Sequence, residues 1–245
     1  MSPIDLRVLP DEPSLAAAVG AALISEIVAA QQERGSASIV LTGGGVGTAT
    51  LAAVAVDPRR DDVDWSRVDV WWGDERYVPS GDPDRNETGA RSALLDALPL
   101  DPARIHPMPA AGADVEGDAL SYADLLRSHA EPGLDVPLFD VLMLGMGPEG
   151  HVASLFPDSP GIHSSASVVA VRECPKPPPT RISLTLPSIR AARQVWIIAS
   201  GDSKADAVAW CADPNTDPVT VPAAGARGQD ASVLWVDRGA AAHVT

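Results

Sequence analysis

The stretch Phe139-Asp-Val-Leu-Met-Leu-Gly-Met-Gly-Pro-Glu-Gly-His-Val-Ala-Ser-Leu-Phe-Pro157 decides the reading of this chain. Residues 141–144 form a short, unbroken apolar run, as expected of a strand covered on both faces in a parallel sheet. Gly145 and Gly147 break the run, and His151 follows beside an acid, Glu149. Open parallel sheets bind ligands in the crevice outside the carboxyl ends of their strands. His151 therefore falls where a titratable group is useful, and histidine is the side chain whose unperturbed pKa lies nearest neutrality. On these residues alone, capping of a following helix is the plainer alternative.

Outward from that strand, apolar periods of two kinds alternate. Residues 14–32 place Leu15, Val19, Leu23, Ile24, Ile27 and Val28 at helical spacing before Gly35, and residues 38–42 are a short apolar strand. A glycine-rich turn leads to a helix over 48–56, a strand over 68–72, and helices over 90–97 and 117–129. After the strand at 139–144 come β-like runs at 168–171, 182–186, 194–199 and 232–236, with a helix over 203–211. The alternation predicts an α/β fold, a doubly wound, mostly parallel Rossmann-like sheet with helices on both faces. The close spacing of the later strands suggests a mixed portion. No composition break or repeat divides the chain, so one domain over 1–245 is expected.

Bulk composition removes several function classes. With 33 acidic against 18 basic residues the net charge is -15, which opposes a nucleic-acid partner, since such binding is driven by cations neutralising phosphates. No run approaches the roughly 18 apolar residues that span a bilayer, and the first residues lack the pattern of a signal peptide, so no membrane partner and a cytoplasmic location are expected. Cys174 and Cys211 are far apart and form no zinc or redox spacing. If the ligand is anionic, the global field repels it, and the few cations must be gathered at the pocket.

Four strand exits carry chemistry. Leu41-Thr-Gly-Gly-Gly-Val-Gly-Thr-Ala-Thr50 feeds a helix and offers the amides of Gly43, Gly44 and Gly45 to a phosphate. It fails the dinucleotide fingerprint G-x-G-x-x-G/A, and it has no Lys-Ser/Thr for a P-loop. Trp71-Trp-Gly-Asp-Glu-Arg-Tyr-Val-Pro79 places Asp74, Glu75 and Arg76 directly after a strand, where charge must be paired or used. The third exit carries Glu149 and His151. In the fourth, Ile198-Ala-Ser-Gly-Asp-Ser-Lys-Ala-Asp206, Ser203 is placed to cap a helix opened by Lys204, against the helix dipole. A bound phosphate or the nearby Asp206 would offset that mismatch. Lys204 is one of only two lysines in the chain, and Arg181 is a second candidate cation for a phosphate. No serine-elbow, zinc-protease or kinase motif is present, and no metal site is indicated.

Thr42-Gly-Gly-Gly45, Trp72-Gly-Asp-Glu-Arg-Tyr-Val-Pro79, Leu144-Gly-Met-Gly-Pro-Glu-Gly-His-Val-Ala-Ser-Leu-Phe-Pro157, Pro178-Pro-Thr-Arg-Ile-Ser-Leu-Thr-Leu-Pro187 and Gly201-Asp-Ser-Lys204 together resemble the 6-phosphogluconolactonase family. The resemblance runs from about residue 38 to 236 and implies the same fold. It also implies hydrolysis of 6-phosphoglucono-δ-lactone to 6-phosphogluconate in the oxidative pentose phosphate pathway, with no metal or cofactor. The expected partner is thus a small phosphorylated sugar lactone, and the expected assembly is a monomer or weak homodimer. Two departures stand out: the family's Ser-Gly-Gly-Ser-Thr-Pro loop is here Thr42-Gly-Gly-Gly-Val-Gly-Thr48, and its usual aspartate before Gly150 is Glu149.

For lactone hydrolysis, the residues suggest His151 as general base toward water and then acid toward the ring oxygen. Arg76 would hold substrate or the developing oxyanion, Asp74 would orient Arg76 or a sugar hydroxyl, and Glu149 would set the imidazole tautomer. Gly43, Gly44, Gly45, Arg181 and Lys204 would bind the phosphate. Alternatives are an amino-sugar-phosphate deaminase or isomerase, a non-catalytic sugar-phosphate sensor and an NAD-dependent dehydrogenase. The first would place an acid near Phe156, where this chain has Leu155-Phe-Pro157.

Overall fold

A computed structural model describes residues 3–244. In chain order its strands are β1 (Ile4–Leu9), β2 (Ala37–Leu41), β3 (Val68–Trp72), β4 (Asp74–Arg76), β5 (Val141–Gly145), β6 (Val168–Val171), β7 (Arg181–Leu184), β8 (Gln194–Ala199) and β9 (Ala231–Asp237). Its α-helices are α1 (Glu12–Arg34), α2 (Gly44–Val56), α3 (Asn86–Ala93), α4 (Val115–Ser128), α5 (Leu186–Arg190), α6 (Ala205–Ala212) and α7 (Pro222–Gly225).

Six strands form one sheet in the order β1-β9-β8-β5-β2-β3, and every neighbouring pair in it is parallel. Successive side chains of a strand point to opposite faces, and here both faces are covered. Trp71 of β3 enters a core with Val40, Leu142, Ile197 and Leu234 beneath α4 and α6. Trp72 enters the opposite core, with Ile39, Val70, Met143 and Ile198 against α1 and α2. The doubly wound expectation holds.

The suspected mixed portion is instead a second sheet. β4, β7 and β6 pair antiparallel in that order, so the runs anticipated at 168–171 and 182–186 leave the main sheet. β4 directly follows β3, and Leu184 N–H donates to the Gly73 carbonyl at 2.9 Å, which docks the small sheet on the main sheet's carboxyl edge. All five expected helices begin or end away from their expected limits, α1 and α4 by one or two residues and three others in a way that bears on the site. α2 starts at Gly44 rather than 48, so the glycine turn is itself the first helical turn. The segment expected helical at 90–97 divides into α3 and a 3-10 turn at Leu95–Ala97. The segment expected at 203–211 opens with a 3-10 turn at Asp202–Lys204, and Ser203 makes no capping bond there. β1 was not anticipated; its half-exposed, alternating sequence marks an edge strand.

Helix α1 is capped at both ends: the Asp11 carboxylate accepts from Ser14 N–H, and Gly35 closes the helix at φ 81°. Its length and mean hydropathy of 1.7 suffice by composition to cross a bilayer, contrary to the expectation from unbroken apolar runs. Leu15, Val19, Leu23, Ile24 and Ile27 are instead the side chains that cover the sheet.

Candidate active site

The carboxyl ends of β2, β3, β5 and β8 open on one cavity of about 180 Å³. Thr42, Gly43, Gly44, Asp74, Arg76, Asn86, His151, Lys176, Arg181 and Lys204 are among the residues lining it. A cavity of this size suits a small metabolite and is tight for a dinucleotide. The chain is strongly acidic, yet both of its lysines and two of its arginines face this space.

His151 is held by its own turn. Gly147 N–H donates to the His151 carbonyl at 3.0 Å, and Nδ1 of the ring lies 3.0 Å from Glu149 Oε1. The carboxylate accepts, so Nδ1 carries the proton and the Nε2 lone pair is left for a ligand. Phe156 stacks on the ring with centroids 4.3 Å apart. A Cβ on Gly147 would fall 2.0 Å from Nδ1, which is why glycine stands there. Sequence reasoning had considered helix capping for His151; the chain instead passes through a tight turn and makes no helix there.

The acidic exit divides its labour. Glu75 is 1% exposed and accepts from the backbone amides of Arg76, Asn86 and Glu87, and it faces the equally buried Arg85 at 3.7 Å. It holds the chain that starts α3. Asp74 accepts from Ser154 Oγ at 2.6 Å and lies 3.8 Å from Arg181 Nη1. Of the two expected roles of Asp74, orienting Arg76 or a sugar hydroxyl, the first has no direct hydrogen bond behind it among the described residues: Arg76 Nη1 donates to the Asp84 carbonyl at 2.7 Å. Arg76 Nε is buried without a hydrogen-bond partner among the described residues. Arg181 is fixed by the carbonyls of Lys176, Pro177 and Pro178 and sits opposite Arg76 across the β4–β7 pair.

At the glycine turn, Gly43 precedes α2 and Thr42 Oγ1 accepts from Gly145 N–H at 3.0 Å, tying the exits of β2 and β5 together. A Cβ on Gly43 would meet Asn86 Oδ1 at 1.8 Å, and Asn86 in turn donates to the Asp74 carbonyl at 2.9 Å. Gly43 and Gly44 line the cavity; Gly45 is exposed in the first turn of α2 and stands off the lining. The first amides of α2 have no partner within the helix and add the positive end of its dipole. Among the described residues Lys204 makes no ion pair, and Asp206 lies 2.7 Å from His243 rather than against Lys204.

Electrostatics follow from this crowding of cations. Burial, then Lys176 and Lys204, push His151 down from 6.5 to about 4, although Glu149 pulls the other way. At neutral pH the ring is therefore uncharged. Burial also lowers Lys204, with Lys176 adding to the effect. Burial pushes the Glu149 carboxyl up, but its backbone amide, Lys176 and His151 prevail and hold it below its ordinary value. For Asp74 burial prevails over Ser154 and Arg181, and the carboxyl is raised.

Three residues of this site escaped the sequence reading as participants: Lys176, Asn86 and Ser154. Lys176 lies in a proline run and reaches Glu149 at 3.0 Å. Its rarity was the one available signal. Glu149 does not line the cavity and acts from behind His151. Among the described residues no cluster of three or more His, Cys, Asp or Glu could hold a metal ion.

An α/β sheet whose carboxyl edge gathers cations, helix-start amides and a neutral imidazole defines a protein that acts on small phosphorylated metabolites. A sequence profile described as glucosamine-6-phosphate isomerases/6-phosphogluconolactonase matches residues 10–235, and the chain belongs to that family. It is 54% identical over 239 residues to a 6-phosphogluconolactonase of Streptomyces coelicolor, covering 95% of this chain and 91% of the relative. It is 49% identical to one of Mycobacterium tuberculosis, over 98% of each chain. Among solved structures, 6-phosphogluconolactonase from Trypanosoma brucei superposes with a TM-score of 0.82 at 26% identity, over 100% of this chain and 99% of that one. A monomeric glucosamine-6-phosphate deaminase shares the fold at TM-score 0.81 and 20% identity, over 98% of this chain and 100% of that one.

Proposed function

We propose that this protein hydrolyses the ring ester of 6-phosphoglucono-δ-lactone to 6-phosphogluconate by general acid–base catalysis. The observation that carries the reading is a neutral His151, with Nε2 free, facing a cavity lined by Lys176, Lys204, Arg76 and Arg181. Nε2 takes a proton from water as the water oxygen bonds to the lactone carbonyl carbon. The carbonyl oxygen gains negative charge, and the Arg76 guanidinium, which lines the cavity, is the cation placed to stabilise it. As the carbon–ring oxygen bond breaks, the imidazolium returns its proton to the departing oxygen. Glu149 holds the tautomer throughout. Lys204, Arg181 and the Gly43–Gly44 amides take the phosphate. Asp74, fixed by Ser154 and Asn86, accepts from a sugar hydroxyl.

The 54% and 49% relatives support the substrate assignment. Where a deaminase would need an acid near Phe156, the ring of Phe156 lies flat on His151. The test is to generate the lactone freshly from glucose 6-phosphate and follow proton release with and without the protein. Release faster than the spontaneous rate is expected. Binding of 6-phosphogluconate with no acceleration would make the protein a sensor and overturn the assignment.

A further inference from the structure

Lys176 holds a position the hydrolytic scheme leaves unused. Its Nζ lies 3.0 Å from Glu149 Oε1 and 3.1 Å from Oε2. The same Oε1 is 3.0 Å from His151 Nδ1. One carboxylate therefore serves an ammonium and an imidazole at once. Lys176 also lines the cavity together with Lys204, which has no ion-pair partner among the described residues, and Nζ stands 5.9 Å from the centroid of Phe156, the ring beneath His151. The remaining charged groups facing this space are Asp74, Arg76 and Arg181, and Asp74 is already engaged by Ser154 and Arg181. Glu149 is thus shared between Lys176 and His151, and the two lysines bear on the imidazole.

We propose that Lys176 couples phosphate binding to the catalytic base: a bound phosphate dianion draws the ammonium off Glu149, and the freed carboxylate then serves His151 alone. This rests on the reading of the cavity as a phospholactone site and adds a role for the substrate's phosphate beyond affinity. A dianion neutralises two cations at the mouth of a partly solvated cavity, where Lys176 is 41% and Glu149 33% exposed, so charge interactions are screened less than in bulk water but are not those of a dry interior. The Nδ1–H···Glu149 bond becomes better charge-balanced, and Nε2 becomes a stronger proton acceptor when, and only when, a phosphorylated lactone is in place. No atom is transferred in this step; an ion pair changes partners. A hydroxylated lactone lacking the phosphate would meet a weakly basic imidazole. The arrangement thus discriminates by turnover, and not only by binding, in the sense that remote binding energy is used at the reacting centre.

Two measurements test this on the intact protein. The His151 ring resonance, identified by its loss in His151→Asn, is titrated with and without sulfate, which stays doubly charged across the range. Sulfate is expected to raise the midpoint by about one pH unit or more in the wild type. In Lys176→Met the midpoint should be raised before any sulfate is added and move little on adding it. Saturating sulfate should still raise it in Lys204→Met. In parallel, hydrolysis of unphosphorylated glucono-δ-lactone is followed with added phosphite, expected to activate the wild type by about tenfold and Lys176→Met by less than twofold. A wild-type midpoint unmoved by saturating sulfate, or full phosphite activation in Lys176→Met, overturns the coupling. If either occurs while the wild type accelerates phospholactone hydrolysis, the coupling alone fails; absence of that acceleration overturns the activity reading itself.

Discussion

Ser154 Oγ donates a 2.6 Å hydrogen bond to Asp74 Oδ2 across 80 residues of sequence, joining the exit of β5 to the exit of β3. Both groups are buried, Ser154 at 0% and Asp74 at 7% exposure. Ser154 is itself located by Ser183 Oγ of the small sheet, which accepts from its N–H at 3.1 Å. The bond is thus a strut between the loop that carries His151 and strand β4, which carries Arg76. Ser154→Ala leaves a buried carboxylate short of one donor, a loss worth about 1–3 kcal/mol. Urea unfolding should show that loss, and kcat/KM should drop with it. A variant with wild-type stability and turnover would show that Asp74 needs no such support.

His151→Asn keeps a polar side chain against Glu149 and Phe156 but removes the Nε2 base. We expect kcat to fall about 10²–10⁴-fold, the usual contribution of a general base. KM should change little, since the phosphate contacts are elsewhere. Wild-type turnover in steady-state kinetics would require another base.

Lys204→Met should act on binding. Lys204 lines the cavity and has no ion-pair partner among the described residues, so its charge is available to the phosphate, and a charged hydrogen bond of this kind contributes about 1.5–3 kcal/mol. KM should rise about tenfold to a hundredfold with kcat nearly preserved, the pattern of lost uniform binding. A fall in kcat at unchanged KM would move Lys204 from the phosphate to the reaction centre.

Much of this was legible in the chain because the informative residues are local. The run at 141–144 is apolar without interruption, since β5 is covered on both faces, and Gly147 and His151 fall within one turn of each other. The glycines of the 43–47 turn were legible as a cradle but not as the first turn of α2, because helix propensity argues against glycine there and the sheet exit overrides it. The small sheet was hidden for a different reason. β4 is three residues long and charged, and antiparallel pairing with β7 through Arg76 and Arg181 has no signature within either segment. Lys176, Asn86 and Ser154 meet their partners over 27, 12 and 80 residues, distances at which no periodicity speaks.

Gly43→Ala tests the close approach of two loops. The added methyl would fall 1.8 Å from Asn86 Oδ1, so Asn86 must move, and with it the 2.9 Å bond to the Asp74 carbonyl. Overpacking of this kind costs about 1–3 kcal/mol. The thermal midpoint and kcat/KM should both decline, and Asn86→Ala combined with Gly43→Ala should recover stability without recovering activity. Recovery of both would place Asn86 outside the working site.

The depressed basicity of His151 makes a prediction about stability in acid. In the unfolded chain the ring titrates near 6.5, whereas in the folded protein it is pushed to about 4, first by burial and then by Lys176 and Lys204. Above 6.5 both states hold a neutral ring and the group contributes nothing. As pH falls below 6.5 the unfolded chain binds a proton that the folded protein refuses, so stability declines until the folded ring also titrates near 4. The full penalty is about 3 kcal/mol, and the ring is buried enough that solvent screening removes little of it. Glu149, held below its ordinary value of 4.5, adds its own loss of stability as pH falls from that value through its folded one, at the acid end of the His151 window. Wild type should therefore lose stability relative to His151→Asn between neutral pH and pH 4, measured by urea unfolding in buffers free of phosphate and sulfate. Parallel pH profiles for the two proteins would mean that the ring is solvated and charged in the folded state, and that the neutral base is absent.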